Sequence, residues 1–250
     1  FLKRNKFSLD HDNSVIYINL MKKLILTTLL MGAAMVGAVK ATTLADVSVE
    51  GGVSYSTLST SGGVGIRDDA FSYSLTLSAP VKAGGTASVG IDIFDVDEGY
   101  EQDISLAYSR GVTLLGQDLG AEFYFQRIDS SFGGWDEVGV GLTYSHTLAD
   151  LTATAWHEVG GGSGGSYGVE FILSRDIATP VEGLVLTPFV GLNLADEYTA
   201  IEAGLAAAYK ITDGASVFVK GAYNDNDLDS SSAYSLDNEW SVGAGVSYKF

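Results

Sequence analysis

Side chains able to act as nucleophiles or general bases are scarce in this sequence. The chain contains no cysteine, and His146 and His157 are the histidines of residues 42–250. Ser145 precedes His146, but consecutive residues of a strand point to opposite faces, so these two side chains cannot form a simple hydrogen-bonded pair. Glu158 is related to His157 in the same way. We therefore expect no enzyme activity, and the missing cysteine excludes disulfides, thiolate catalysis and cysteine-ligated zinc.

Acidic residues are far more numerous, and one group of them is similar to a metal-binding segment. Residues 225–229 read Asp-Asn-Asp-Leu-Asp, like the start of a calcium loop. An EF-hand would continue with glycine at Ser230 and glutamate at Leu236, and neither is present. We therefore predict no metal and no cofactor, and we interpret the acidic segments as a solvated, negatively charged rim. Loose binding of divalent cations that bridge to lipid phosphates is an alternative.

Composition and charge narrow the remaining classes of protein. Hydrophobic residues make up 46% of the 250 residues, which is enough for a folded structure and excludes general disorder. The chain has 31 Asp and Glu against 14 Lys and Arg, and its net charge is −17. Such a charge would be repelled by phosphates, so we expect no nucleic acid partner.

The beginning of the chain is predicted to be absent from the mature protein. Residues 1–20 are polar, basic and patternless, which indicates a translated region upstream of the true start. From Met21 onwards the chain has a basic start, an uncharged apolar run and small residues before Ala41. This pattern predicts a cleaved signal peptide at 21–41, rather than a membrane helix of about 20 apolar residues. A single domain then covers 42–250.

That domain alternates between apolar residues and small or polar ones. In 138–144, for example, Val, Val, Leu and Tyr alternate with Gly, Gly and Thr. A period of two is typical of β-strands. Most segments have about the 9–11 residues that a tilted strand needs to cross a bilayer. We predict about twelve strands, with ten to twelve compatible with the pattern, near 45–56, 70–79, 85–95, 101–110, 118–128, 136–147, 150–159, 166–176, 184–195, 199–211, 215–224 and 240–250.

The connections between these segments alternate in length. Short turns such as 148–150 and 212–214 follow even-numbered strands, whereas longer, mostly acidic loops such as 57–69, 129–135 and 224–239 follow odd-numbered strands. Short periplasmic turns and longer extracellular loops are typical of membrane barrels. We therefore predict an all-β fold, namely a transmembrane antiparallel up-and-down β-barrel.

A secreted soluble β-sandwich would also alternate, but two observations favour the barrel. The non-apolar face consists mostly of serine, glycine and threonine, which suit the limited space inside a barrel. Aromatic residues lie towards both ends of the apolar face, as two membrane interfaces require. The predicted interface aromatics are Tyr108, Tyr144 and Tyr209 towards the short turns, and Tyr55, Phe71, Tyr167, Tyr223 and Trp240 towards the loops.

These features together resemble the small bacterial outer-membrane β-barrel proteins of the porin-like kind. The resemblance rests on the leader at 21–41, the alternating strands, and a last strand that carries Val246, Tyr248 and Phe250. It implies a bacterial outer-membrane location, contact with outer-membrane lipid, and recognition of those three residues by the barrel-assembly machinery. A homo-oligomer is compatible with it. A twelve-strand count also resembles outer-membrane phospholipases and narrow sugar or anion channels.

The alternation predicts which charged residues line the lumen. Acids outnumber bases there, and a ring of one sign selects ions of the other. Since twelve strands lie between filled and open barrels, we expect a narrow, cation-preferring passive diffusion pore for small cations or solutes. The alternatives are a closed structural barrel, in which the acids pair with the lysines, Tyr124 and Gln126, and an adhesive barrel that acts through its acidic extracellular loops. The predicted pore-lining residues are Glu50, Asp92, Asp103, Glu122, Glu170, Glu202, Lys210, Lys220 and Lys249.

Two positions leave the strand assignment open. Pro188 falls inside the predicted strand 184–195 and removes a ladder donor, so that strand could begin near it. In the predicted strand 150–159, either Ala153 and Ala155 or Thr154 and Trp156 could face lipid. A slip of one residue would reverse every assignment there.

Overall fold

Antiparallel strands make up nearly all of the part of the chain that the structure describes. The computed structural model describes residues 47–61, 64–81, 84–96, 99–131, 133–161, 165–228 and 239–250. The predicted upstream region and signal peptide lie outside these residues. Within them, no helix has the length and apolar character needed to cross a membrane. The strands are β1 (Ser48–Ser61), β2 (Val64–Pro80), β3 (Thr86–Val96), β4 (Gly99–Leu114), β5 (Gln117–Ser130), β6 (Gly133–Ser145), β7 (Asp150–Gly161), β8 (Tyr167–Ser174), β9 (Ile177–Ala178), β10 (Leu184–Ala195), β11 (Thr199–Lys210), β12 (Ala215–Asn226) and β13 (Glu239–Lys249).

The strands close into one ring. Apart from β9, each strand pairs antiparallel with its neighbours in sequence, and β1 pairs with β13 from Glu50 opposite Lys249 to Ser56 opposite Gly243. The two-residue β9 lies beside β10 as a short continuation of β8. The prediction of an all-β, antiparallel up-and-down barrel with twelve strands in the ring is therefore confirmed, with one short strand in addition.

Successive residues of each strand alternate between the exterior and the interior of the barrel. On β5 and β6 the exterior is apolar and open: Phe123 and Val140, which lie opposite each other, are 56% and 49% exposed. In β7, Ala153 and Ala155 lie opposite exterior residues of β6, while Trp156 lies opposite Gly139 on the interior face. This resolves the ambiguity that the sequence leaves in β7.

Several predicted loops are continuations of the strands. The ladder between β1 and β2 runs on to Ser61 opposite Val64, through most of the segment 57–69 that the sequence pattern assigned to a loop. Likewise, β5 and β6 pair as far as Ser130 opposite Gly133, inside the predicted loop 129–135. Those two loop predictions were wrong, because backbone pairing continues where the apolar alternation has ended. The acidic segment 229–238 lies outside the described residues.

Pro188 interrupts the neighbouring strand rather than its own. β10 begins at Leu184 and passes through Pro188, so the expectation that this strand begins near Pro188 was wrong. The amide of Arg175 donates to the Pro188 carbonyl at 3.2 Å, but Pro188 has no N–H to return the bond. The ladder on that side therefore breaks between Ser174 and Ile177, and Thr187 Oγ1 donates to Asp176 Oδ1 at 2.6 Å across the break.

Small residues line the interior around the closing seam. Gly243, Gly245 and Ser54 face inwards on β13 and β1, and residues of β12 and β2 come within 8 Å between Cα atoms although two strands separate them in the sheet. Small side chains permit such a close approach of one wall to the other. The barrel is therefore narrow across this part of its interior.

Candidate functional site

The interior of the barrel brings together the charged residues that the alternation assigns to one face. Asp92 lies opposite Asp103 across the β3–β4 ladder, and Glu122 lies opposite Gly141. Glu50 and Lys249 face each other across the closing seam. The structure thus places the nine predicted residues at interior positions of their strands, although their contacts differ widely.

Lys220 is the basic residue at the centre of this face. Its Nζ donates to Glu202 Oε1 at 2.6 Å and lies 4.7 Å from the centre of the Phe189 ring. By contrast, Lys210 lies at the end of β11 and pairs with Asp213 in the following turn at 2.8 Å. This ion pair lowers the pKa of the exposed Asp213 carboxyl, first through the hydrogen bond and then through the charge of Lys210. Of the two lysines, only Lys220 makes its ion pair with a carboxylate on the interior face.

Further acids occupy interior positions and were missed by sequence reasoning, among them Glu101, Glu137 and Glu158. Glu101 follows the same alternation as Asp103 in β4 and is buried. Glu137 and Glu158 lie directly opposite each other across the β6–β7 ladder, beside a bulge at Asp136. Glu137 lies at the start of the predicted strand 136–147, and extending the alternation of Val138 and Val140 by one residue would have placed it inside.

Tyr124 and Gln126 bridge strands inside the barrel. The Tyr124 hydroxyl donates to Glu137 Oε1 at 2.6 Å, and Gln126 Nε2 donates to Asp103 Oδ2 at 2.9 Å. These bonds form part of the network that the closed-barrel alternative invokes. The network is partial, since no hydrogen bond or ion pair to Glu122 or Glu170 is found among the described residues.

Four interior aromatic rings each lie on a glycine of the next strand. A Cβ on Gly139 would lie 2.1 Å from the Tyr124 ring, and one on Gly204 would lie 2.6 Å from the Phe189 ring. In each case the glycine is the direct cross-strand partner of the aromatic residue. The ring therefore lies flat against the wall instead of projecting across the lumen. The four pairs are Tyr124–Gly139, Trp156–Gly168, Phe189–Gly204 and Phe218–Gly245.

Among the cavities along the described part of the interior, two have Lys220 in their wall. The first has a volume of about 210 Å³, and its polar lining consists of Glu170, Asn193, Glu202 and Lys220. The second has a volume of about 170 Å³ and lies against the small residues around Ser54. Each volume holds several water molecules, since one water occupies about 30 Å³ in the liquid.

Tyr198, at the end of the barrel where β10 turns into β11, lies in a region of negative potential. It lies in the turn between β10 and β11, and its hydroxyl accepts a hydrogen bond from Asn193 Nδ2 at 3.3 Å. Burial, followed by the negative charges of Glu137 and Glu170, raises the pKa of Tyr198 to about 12. Those charges disfavour a phenolate, so the surroundings of Tyr198 carry a negative potential.

The predicted interface aromatics lie on the exterior face. The rings of Tyr55 and Phe71 are 5.0 Å apart, and those of Tyr223 and Trp240 are 5.6 Å apart. Towards the other end, the Tyr108 hydroxyl donates to the Gly84 carbonyl at 2.6 Å. The remaining exterior aromatics are Tyr144 beside His146, Tyr167 beside His157, and Tyr209.

The residues of the expected assembly signal also project outwards. Val246, Tyr248 and Phe250 are 50%, 46% and 77% exposed, and the rings of Tyr248 and Phe250 are 4.4 Å apart. All three could contact lipid or another protein from this face.

The two histidines lie away from the interior cluster. His146 lies in the turn after β6, where its Nδ1 accepts from the Leu148 amide at 3.2 Å. His157 lies on the exterior, 6.5 Å from the Tyr167 ring between centroids. Within the described residues, no three His, Asp or Glu side chains converge in a way that could hold a metal ion.

Comparison with known proteins gives structural likeness alone. No protein-family model and no curated protein matches the sequence. The KdgM porin has a TM-score of 0.50 at 11% identity, over 81% of this chain and 99% of that chain, and the same values hold for the KdgM porin in complex with disordered oligogalacturonate. The NanC porin has a TM-score of 0.51 at 15% identity, over 82% and 100%. The fold is therefore that of the small outer-membrane porins.

Proposed function

We propose that this protein is a passive diffusion pore for small solutes in the bacterial outer membrane, and that its lumen prefers cations. The observation that carries the proposal is a closed barrel with an apolar exterior and an acid-rich interior that contains two cavities. The fold shared with the KdgM and NanC porins supports a pore. Catalysis forms no part of the proposal, since neither histidine lies beside the interior acids.

The exterior supports a place in a membrane. Soluble monomers rarely expose apolar patches larger than a few hundred Å². Here Phe123, Val140 and Leu142 are all exposed and adjacent across one ladder, and exposed apolar residues recur on β7, β8, β10, β11, β12 and β13. We infer that lipid covers this surface and that the exterior aromatics lie at its two borders. Export through the leader at 21–41 and recognition of Val246, Tyr248 and Phe250 during assembly are parts of the same proposal.

The interior charges support the preference for cations. Lys220 is paired with Glu202, and Lys210 is paired with Asp213 in a turn. Glu122, Glu137 and Glu170 have no basic partner among the described residues, so the lumen keeps a net negative charge. A negative lumen concentrates cations and repels anions.

Ion conductance through a planar lipid bilayer tests the proposal. The refolded chain should give discrete current steps, and a KCl gradient should give a reversal potential of cation-selective sign. Glu122→Gln combined with Glu170→Gln should move that potential towards zero. Glu182→Gln is the matched control, because Glu182 is exposed in the turn before β10 and lies away from the interior.

Each outcome bears on a different part of the proposal. Steps with anion selectivity would keep the pore but remove the assigned role of the acids. No steps, from protein shown to be folded in vesicles, would contradict the pore and favour a closed barrel. An equal loss of selectivity in Glu182→Gln and in the double variant would show that the effect is not specific to the interior.

A further inference from the structure

The 210 Å³ cavity in the inner wall has an ammonium group at one border and hydrogen-bond acceptors at the other. Lys220 lies on β12 and Glu170 on β8, with β10 and β11 between these strands in the sheet. Both side chains line the cavity. A ligand that enters it therefore meets groups of opposite charge on the same wall.

Lys220 brings its ammonium group into the cavity from further along the wall. It lies opposite Ala206 in the ladder, but its Nζ reaches Glu202 Oε1, to which it donates at 2.6 Å. Nζ also lies 4.7 Å from the centre of the Phe189 ring. A lysine ammonium has three N–H donors, and this hydrogen bond uses one of them. Lys220 can therefore donate to an anion in the cavity while it keeps its bond to Glu202.

The other border consists of two neighbouring acceptors. Glu170 lies directly opposite Asn193 in the β8–β10 ladder and has no ion pair with a described residue. Asn193 is 5% exposed, and its Nδ2 donates to the Tyr198 hydroxyl. Its Oδ1 has no hydrogen-bond partner in the described part of the chain. Because a buried acceptor without a donor is costly, these two groups favour a ligand that donates hydrogen bonds and carries a positive charge.

The lining between the two borders is apolar and leaves little room. It includes Ile172 and Phe189, with the small residues Gly191, Ala200 and Ala206 beside them. The cavity has the volume of about seven water molecules, which limits the ligand to a small organic molecule. No three His, Asp or Glu side chains of the described ranges converge as metal ligands, so a bare metal ion is a poor fit.

The spacing of the two borders suits a molecule whose charges lie close together. Glu202, which holds the Lys220 ammonium, is two strand intervals from Glu170, or about 10 Å across the sheet. In the register Glu202 lies opposite Gly191, two residues from Asn193 on the same strand. Both glutamates reach inwards, where the curved wall brings their ends closer. Two charge-assisted hydrogen bonds of about 2.8 Å, on either side of an ammonium and a carboxylate on one carbon, span about 9 Å.

We propose that this cavity binds α-amino acids with a small apolar side chain, in their zwitterionic form. The α-ammonium group donates to Glu170 and Asn193 Oδ1, and the α-carboxylate accepts from Lys220. The side chain packs against Ile172 and Phe189. The proposal rests on the pore function above and names the class of solute that the pore would recognise. Bound ligand lies within the lumen and interrupts the flow of smaller ions.

L-Valine is the first probe, because it carries both charges beside a small apolar side chain. Isobutylamine lacks its carboxylate and isovalerate lacks its ammonium group, so each compound tests one border of the cavity. Isothermal titration into the refolded chain in detergent should show that valine binds about tenfold more tightly than either, because each analogue loses a hydrogen bond to a charged group. In a planar bilayer, valine should interrupt the KCl current at concentrations at which isovalerate does not.

Substitutions at the two borders should have different effects. Lys220→Met should weaken valine binding about tenfold but strengthen isobutylamine binding, because the carboxylate loses its donor and Glu202 loses its ion pair. Glu170→Gln should weaken the binding of both compounds, and Asn193→Leu should do so by a smaller factor. Glu182→Gln, the exposed control, should leave each affinity unchanged. A change of the same sign for valine and isobutylamine in Lys220→Met would contradict the assignment of the carboxylate to Lys220.

The two proposals fail in different ways. Current steps without interruption, together with no heat of valine binding, would overturn the amino-acid site and leave the pore intact. No current steps, but valine binding that depends on Glu170 and Lys220, would overturn the pore and retain the site. Isobutylamine or isovalerate bound as tightly as valine would show that the cavity responds to one charge alone, and would overturn the assignment to zwitterions.

Discussion

Replacement of Gly139 by alanine tests whether the aromatic rings are seated against glycines. A Cβ at position 139 would lie 2.1 Å from Tyr124 Cε1, 2.2 Å from Cζ and 2.5 Å from the hydroxyl oxygen. Since carbon atoms in contact lie about 3.5–4.0 Å apart, the ring must move by about 1.5 Å. The hydroxyl would then leave Glu137, with which it forms a 2.6 Å hydrogen bond.

The expected loss of stability follows from three effects. A hydrogen bond to a charged group contributes about 1.5–3 kcal/mol, and overpacking costs about 1–3 kcal/mol. Alanine is better than glycine inside a strand by about 0.5–1 kcal/mol, which offsets a part of this. Gly139→Ala should therefore lower the free energy of unfolding by about 2–5 kcal/mol.

The assay is reversible urea unfolding from lipid vesicles, followed by tryptophan fluorescence. Gly221→Ala is the matched control, because Gly221 is also in mid-strand and a Cβ there would meet nothing within 4 Å. It should be neutral or slightly stabilising. Combining Gly139→Ala with Tyr124→Ala should cost less than the two changes added together, because the clash is removed. Equal stability of Gly139→Ala and Gly221→Ala would refute the packing described for Tyr124.

Four further changes have expected outcomes. Lys220→Met should increase cation selectivity in the KCl-gradient measurement, because Glu202 loses its ion pair; an unchanged reversal potential would contradict the role given to Lys220. Thr187→Val should lower the free energy of unfolding by about 1 kcal/mol, because it removes the hydrogen bond to Asp176. If the variant and the unchanged chain were equally stable in urea, this hydrogen bond would not stabilise the chain where the ladder is interrupted. Leu115→Gly should raise the free energy of unfolding by about 1 kcal/mol, because Leu115 has φ +53° at an exposed turn and glycine adopts that conformation without strain. A lower urea midpoint would contradict this. The phenol of Tyr198 should ionise only near pH 12, so an ultraviolet titration of Tyr198→Phe should show one late-ionising group fewer than the unchanged chain. Because the folded chain keeps this proton to higher pH than the unfolded chain, stability should fall between pH 10 and 12, and it should fall less steeply in Tyr198→Phe.

The alternation of apolar and polar residues predicts the strands of this protein in the middle of the barrel wall, where the exterior face is apolar. Val138, Val140 and Leu142 mark the exterior, and with it the orientation of β6 and its partners. Towards the ends of the longer strands the alternation stops, since an exterior residue there need not be apolar. Hydrogen bonds between backbones do not depend on side-chain polarity. The β1–β2 ladder therefore continues to Ser61 and Val64, through a stretch that the pattern assigns to a loop.

The interior contacts could not be predicted from sequence, because they depend on which residues of two neighbouring strands lie opposite each other. The sequence of one strand does not specify that register. Tyr124 meets Glu137 and Gly139 because the turn after Ser130 is short and aligns β5 with β6 residue by residue. The effect of Pro188 is a second example. Its missing N–H was evident from sequence, but the strand that lost its partner is β8, which lies on the far side of a turn.

The seam between β1 and β13 has a consequence for how the molecule folds. Every other ladder of the ring joins strands that are close in sequence, whereas this one joins Tyr55 to Ala244. Its formation must overcome the entropy of closing a loop that contains all the strands between them, and contacts of such high sequence separation slow folding. Until it forms, two unpaired edges can recruit other chains. Closure therefore gives the chain both its lumen and its protection from aggregation.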